Sequence, residues 1–144
     1  MSPSRLVPAA VVAAVLLAGC GGSGGGGHES AKSDSGLVAD VTDAQAKTLA
    51  SGAVTASARV RVGGTPGKHL TLEWGLVDAQ QGNESQTERV VRRYVTAAKV
   101  VSGTESVTIP KKVVVSPLLV HFVIYAPDGS YLSSADTPVF GPGS

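Results

Sequence analysis

The chain has 144 residues, with 12 basic and 11 acidic side chains, a formal charge of +1, and 42 % hydrophobic but only 4 % aromatic residues. That length suits one ordinary domain, and the near-neutral balance argues against nucleic acid, whose phosphates call for a basic surface. A single cysteine, Cys20, excludes an intrachain disulfide, so the fold has to rest on its hydrophobic core.

Residues 1–19 predict a signal peptide: Arg5 near the start, an apolar Ala/Val/Leu run over residues 6–17, and small residues before Cys20. The run is about a dozen residues, short of the ~20 that a spanning helix needs. Its end, Leu17-Ala18-Gly19-Cys20, resembles the lipobox of bacterial lipoproteins. The resemblance implies cleavage between Gly19 and Cys20, a diacylglycerol thioether on the Cys20 sulfur with palmitate-type acyl chains, and anchoring at the extracytoplasmic face of the cell membrane. The residue types suit that chemistry, because a thiol can be alkylated and small residues let a protease reach the backbone. Two or three acyl chains give stable attachment where one is marginal. Cleavage also removes Arg5, the only charged side chain before Cys20, and brings the basic and acidic counts level.

Residues 20–36 are Gly/Ser-rich and read as a flexible tether after the lipidated cysteine. Residues 37–52 read as a lead-in. Thr42 and Gln45 have capping-box spacing, Ala44, Ala46, Leu49 and Ala50 favour a helix, and Gly52 is placed to end it. A short helix and an irregular path both stay open there.

Residues 53–144 predict a β-sandwich domain. Val54, Ala56, Ala58, Val60 and Val62 alternate with Thr55, Ser57, Arg59 and Arg61, the pattern of a half-buried strand. Gly63-Gly64-Thr65-Pro66-Gly67 is a turn. A second strand carries Leu70, Leu72, Trp74 and Leu76 on one face and His69, Thr71 and Glu73 on the other. Residues 88–101 are ambiguous. Val90, Val91, Tyr94, Val95 and Ala98 have helical spacing, and Ser85 with Glu88 could form a capping box. The valine-rich composition and strand-like neighbours favour a strand. Short extended pieces follow at residues 107–109 and 113–115, interrupted by Pro110 and Pro117. Residues 118–125 are apolar except for His121 and predict a central strand. Pro127-Asp128-Gly129-Ser130 is a hairpin turn, and residues 131–140 return as a final strand.

His69-Leu70-Thr71-Leu72-Glu73-Trp74 resembles the Trp-bearing strand of fibronectin type III and related immunoglobulin-like domains. Residues 119–140, with Tyr125, the Asp128-Gly129 turn and Thr137-Pro138-Val139-Phe140, resemble their last hairpin. The resemblance implies an all-β, immunoglobulin-like antiparallel β-sandwich, with no clear counterpart for residues 89–101.

Few residues point to chemistry. Gly21-Gly22-Ser23-Gly24-Gly25 fits a nucleophile elbow, and residues 22–27 fit a dinucleotide fingerprint. Both lie in the glycine tract, without the strand and helix that give those patterns meaning. His28, His69 and His121 have no second ligand at metal spacing, so neither metal nor cofactor is expected. Asp78, Glu84, Glu88, Asp128 and Asp136 lie mostly in loops and turns, and spacing assembles no nucleophile, base and orienter. The densest charge is Arg89, Arg92 and Arg93. It reads as a solvated strand face or as a docking patch for an envelope protein or an anionic wall polymer. The expectation is a non-catalytic binding or interaction module of the cell envelope. An accessory subunit of a membrane transporter, sensor or wall enzyme is the first alternative, and a small hydrolase the second.

Overall fold

The computed structural model describes residues 36–83 and 88–144. The predicted signal peptide, Cys20, the Gly/Ser-rich stretch with its two chance motifs, His28 and Glu84 lie outside the described residues.

Among the described residues the chain forms an antiparallel β-sandwich of seven strands. They are β1 (Val38–Thr48), β2 (Val54–Gly63), β3 (His69–Asp78), β4 (Arg89–Val95), β5 (Val101–Ile109), β6 (Leu118–Tyr125) and β7 (Tyr131–Asp136). One sheet has the order β1-β2-β5 and the other β4-β3-β6-β7. Consecutive strands pair as hairpins within a sheet, and the chain changes sheet after β2, β4 and β5. This is the two-sheet arrangement of an immunoglobulin-like sandwich, with β4 beside β3 rather than on the first sheet.

The core follows the period-two pattern. Val54, Ala56, Ala58, Val60 and Val62 of β2 are buried, and so are Leu70, Leu72 and Leu76 of β3. They meet Val120, Phe122 and Ile124 of β6 and Leu132 of β7 in one cluster, with Trp74 packed partly buried against it. The small residues Ala56 and Ala58 sit opposite bulky Leu and Phe, which is how a close-packed sandwich fills its interior. The predicted Asp-Gly turn is present, with Gly129 at φ 82°. Gly63 has to be glycine, because at φ 144° a Cβ there would collide with the backbone of Lys99 and Val100.

Four readings change. Residues 37–52 are not a lead-in or short helix but contain β1, so the sandwich begins at Val38 rather than at residue 53. The register jumps from Thr42↔Arg59 to Gln45↔Ser57, so Asp43 and Ala44 together face Ala58 alone. This is a β-bulge, with Asp43 in the left-handed region at φ 52°. It turns both Val41 and Ala44 inward and breaks the alternation, so only the alanines and the Thr42/Gln45 spacing were left to suggest a helix. The extended piece at residues 107–109 is the end of the longer strand β5, whose exposed Ser, Gly and Thr residues hide its period. Residues 113–115 are not extended, because a 3-10 turn over Lys111–Val113 follows Pro110. The last strand stops at Asp136, and Phe140 rejoins the sheet only through a bridge to Leu118.

The favoured strand at residues 88–101 is present as β4, ending at Val95. Its pairing with β3 also slips, from Leu72↔Arg92 to Glu73↔Val90, so Val91 is a bulge residue that packs against the core.

Candidate functional site

The bulge at Val91 decides where the three arginines go. Arg92 pairs with Leu72 and Arg89 with Trp74, both on the core side of the sheet edge, whereas Arg93 pairs with Thr71 on the outer face. Arg89, Arg92 and Arg93 are therefore not one docking patch. Arg92 reaches across to the other sheet, where its Nη1 lies 2.8 Å from Glu105 Oε1 on β5. The Tyr94 hydroxyl donates to the same oxygen at 3.0 Å, and the Arg92 guanidinium sits 5.7 Å from the Tyr94 ring centre. Burial first, then Glu105, pushes the Tyr94 hydroxyl well above its ordinary range. Bonding to Glu105 holds Arg92 more firmly charged. These three side chains bridge the two sheets at the β4–β5 edge of the sandwich.

The outer face of the four-stranded sheet gathers the chemically capable groups. Register places Arg93, Thr71, Tyr125 and Tyr131 in one row across all four strands. In the next row lies Glu73, and Glu88 comes in just before β4. The two carboxyls are near enough to act on each other's charge. Burial, followed by the neighbouring Glu88, raises the Glu73 pKa above the carboxylate norm, and Arg93 opposes the rise only in part. The Tyr125 hydroxyl donates to Glu88 Oε2 at 2.8 Å. A hollow of about 470 Å³ opens over Thr71, Glu73, Glu88 and Tyr125, with Pro127 and Gly129 at its rim.

His121 stands one row further on, its Nδ1 2.5 Å from Asp136 Oδ1. His69 is exposed on the same face but six residues away along β3, about 20 Å at ~3.3 Å per residue. Among the described residues no group of three or more His, Cys, Asp or Glu is placed to hold a metal ion. Asp78 and Asp128 act as turn formers. Asp78 Oδ1 accepts from the N–H groups of Gln80 and Gln81, both at 2.9 Å. Ser130 holds the Asp128 carboxyl below its ordinary pKa through its hydroxyl and N–H.

This face can present two neighbouring carboxyl groups, a phenol, a hydroxyl and one guanidinium to a polar ligand. Sequence reasoning missed Glu73 as a site residue, because its meeting with Glu88 depends on the β4 bulge. The available signal was its place among Thr71 and His69 on the wet side of β3.

A second feature lies at the opposite end of the sandwich from Gly36. A hollow of about 530 Å³ is lined by Thr48, Val54, Lys111, Val114, Val139 and Phe140, and Val115 beside it is 75 % exposed.

No family model and no curated protein matches the chain. Among solved structures it is similar to a candidate β-galactosidase of Bacteroides fragilis, at 13 % identity and a TM-score of 0.48, over 72 % of this chain and 17 % of that one. It is also similar to the candidate ApaA protein of Bordetella pertussis, at 10 % identity and a TM-score of 0.38, over 75 % of this chain and 95 % of that one. The chain thus spans under a fifth of the first of these proteins. Likenesses at this level carry no functional argument.

Proposed function

We propose that the protein is a non-catalytic binding module of the bacterial cell envelope, anchored through lipid on Cys20 at the extracytoplasmic face of the cell membrane. The anchoring rests on the lipobox-like Leu17-Ala18-Gly19-Cys20. The observation that carries the binding role is the row Arg93–Thr71–Tyr125–Tyr131 beside the Glu73–Glu88 pair. It offers hydrogen-bonding groups of both signs on an open sheet face, where a stable core lets surface residues serve recognition. An envelope protein suits this face better than an anionic wall polymer, because the arginines are divided and a carboxylate pair sits beside Arg93. The apolar tip around Val115 favours a second reading, an accessory subunit that docks end-on to a membrane protein.

A photo-reactive side chain at Thr71 in intact cells tests the binding role, with exposed Lys47 on the outer face of the other sheet as control. The expected result is a discrete adduct from position 71 that Arg93→Glu abolishes. No adduct at 71, or equal adducts at 71 and 47, would contradict the assignment.

A further inference from the structure

The sandwich has four sheet edges, and three of them are blunted. On β1 the Asp43 bulge breaks the ladder, and the Val41 N–H donates to Ser133 Oγ of β7 at 3.0 Å, which ties those two edges together. On β4 the Val91 bulge and three arginines guard seven residues. Strand β5 has none of these devices. All nine of its residues pair in unbroken register with β2, and its sequence contains no proline, lysine or arginine. Its outer face is Ser102, Thr104, Ser106 and Thr108, opposite Arg61, Arg59, Ser57 and Thr55. Long, flat edges without bulges or basic guards offer unpaired N–H and C=O groups to another strand, and natural proteins normally protect them.

The sequence of β5 also selects the incoming strand. We infer that β5 pairs antiparallel with β5 of a second copy of the chain, with Thr104 on the two-fold axis, joining two three-stranded sheets into one of six. An isologous contact places each residue against its symmetry mate's counterpart. With Thr104 opposite itself, Ser102 faces Ser106, Val101 faces Val107, and Glu105 faces Gly103. Each pairing is favourable or neutral for cross-strand neighbours. The exposed Val101, at 53 %, gains an apolar neighbour. The single charge, Glu105, never meets its copy. It meets a glycine instead, and that leaves room for the Arg92–Glu105–Tyr94 group at the edge. Space exists on the glycine side too, since a Cβ on Gly103 would touch nothing within 4 Å. A two-fold at Glu105 would bring two carboxylates together, which antiparallel pairs disfavour.

The test is disulfide crosslinking in intact cells expressing the full chain, with the unsubstituted chain as the control for Cys20. Thr104→Cys should give a covalent dimer on mild oxidation, because directly opposite residues lie about 4.5–5.5 Å apart. Ser106→Cys alone places the two thiols four residues out of register, and its dimer should be lower by at least about ten-fold. Co-expressing Ser102→Cys and Ser106→Cys chains should restore the dimer, and adding Thr104→Lys to both should remove it. Equal crosslinking at positions 104 and 106 would indicate random collision and overturn the proposal. So would no dimer at 104, or an adduct at 104 to a different protein.

Discussion

Single polar side chains tie the two sheets of this domain together, and each makes a separate prediction. Ser133 is buried and accepts the Val41 N–H across the sandwich. Ser133→Ala leaves that donor without an acceptor away from water, and it should lower stability by about 1–3 kcal/mol in urea unfolding. A cost under a few tenths would mean that water reaches Val41. Glu73 predicts a pH effect of unusual sign. Its pKa is raised in the folded state, so its contribution favours folding below the ordinary carboxyl pKa and is lost as pH rises through the raised value. At neutral pH the ionised Glu73 sits against Glu88 and works against the fold. Glu73→Gln should therefore raise the melting temperature at pH 7 and leave it nearly unchanged at pH 4. A fall at pH 7 that is absent at pH 4 would reverse this picture.

At the level of strands, the β4–β5 seal gives an ordering. Glu105 serves two donors, so Glu105→Ala strands the partly buried Tyr94 hydroxyl as well as releasing Arg92. It should cost about 1–2 kcal/mol. Arg92→Ala removes only an exposed partner of the pair, and surface ion pairs contribute about 0–1 kcal/mol. Chemical unfolding of both variants checks the order, and an Arg92→Ala cost above that of Glu105→Ala would contradict it.

The same elements show how far the chain could be read in advance. Strands β2 and β3 were legible because their apolar residues keep a period of two, β6 because it is a short apolar run bounded by turn residues, and the Asp128-Gly129 hairpin because glycine is needed at positive φ. β1 and β4 were harder, and for one reason. A bulge adds a residue and moves the inward face by one, which breaks the alternation of β1 and gives Val91 with Tyr94 of β4 the three-residue spacing of a helix. β5 was half hidden because its edge position leaves Ser102, Gly103 and Thr104 exposed, with no apolar alternation to follow. The candidate site shared this fate. Arg93 and Glu88 could be named from the sequence, but their meeting with Glu73 and Tyr125 depends on strand pairings that no local pattern encodes.

The whole molecule has two distinct ends. Gly36, where the described chain begins, lies beside Thr65, at the end that carries the β2–β3 and β6–β7 turns. The Arg93–Thr71–Tyr125–Tyr131 row lies toward that end, and the hollow around Val114 and Phe140 lies at the other. That arrangement gives a module two recognition surfaces, and Cys20→Ala should abolish membrane retention without unfolding the sandwich. Lipid anchoring itself is tested most directly by intact mass spectrometry of the chain extracted from cell membranes. The proposal predicts a mature protein that starts at Cys20 and carries a diacylglyceryl group on that residue. A chain that begins at Cys20 with a free thiol, or one that retains residues 1–19, would contradict it.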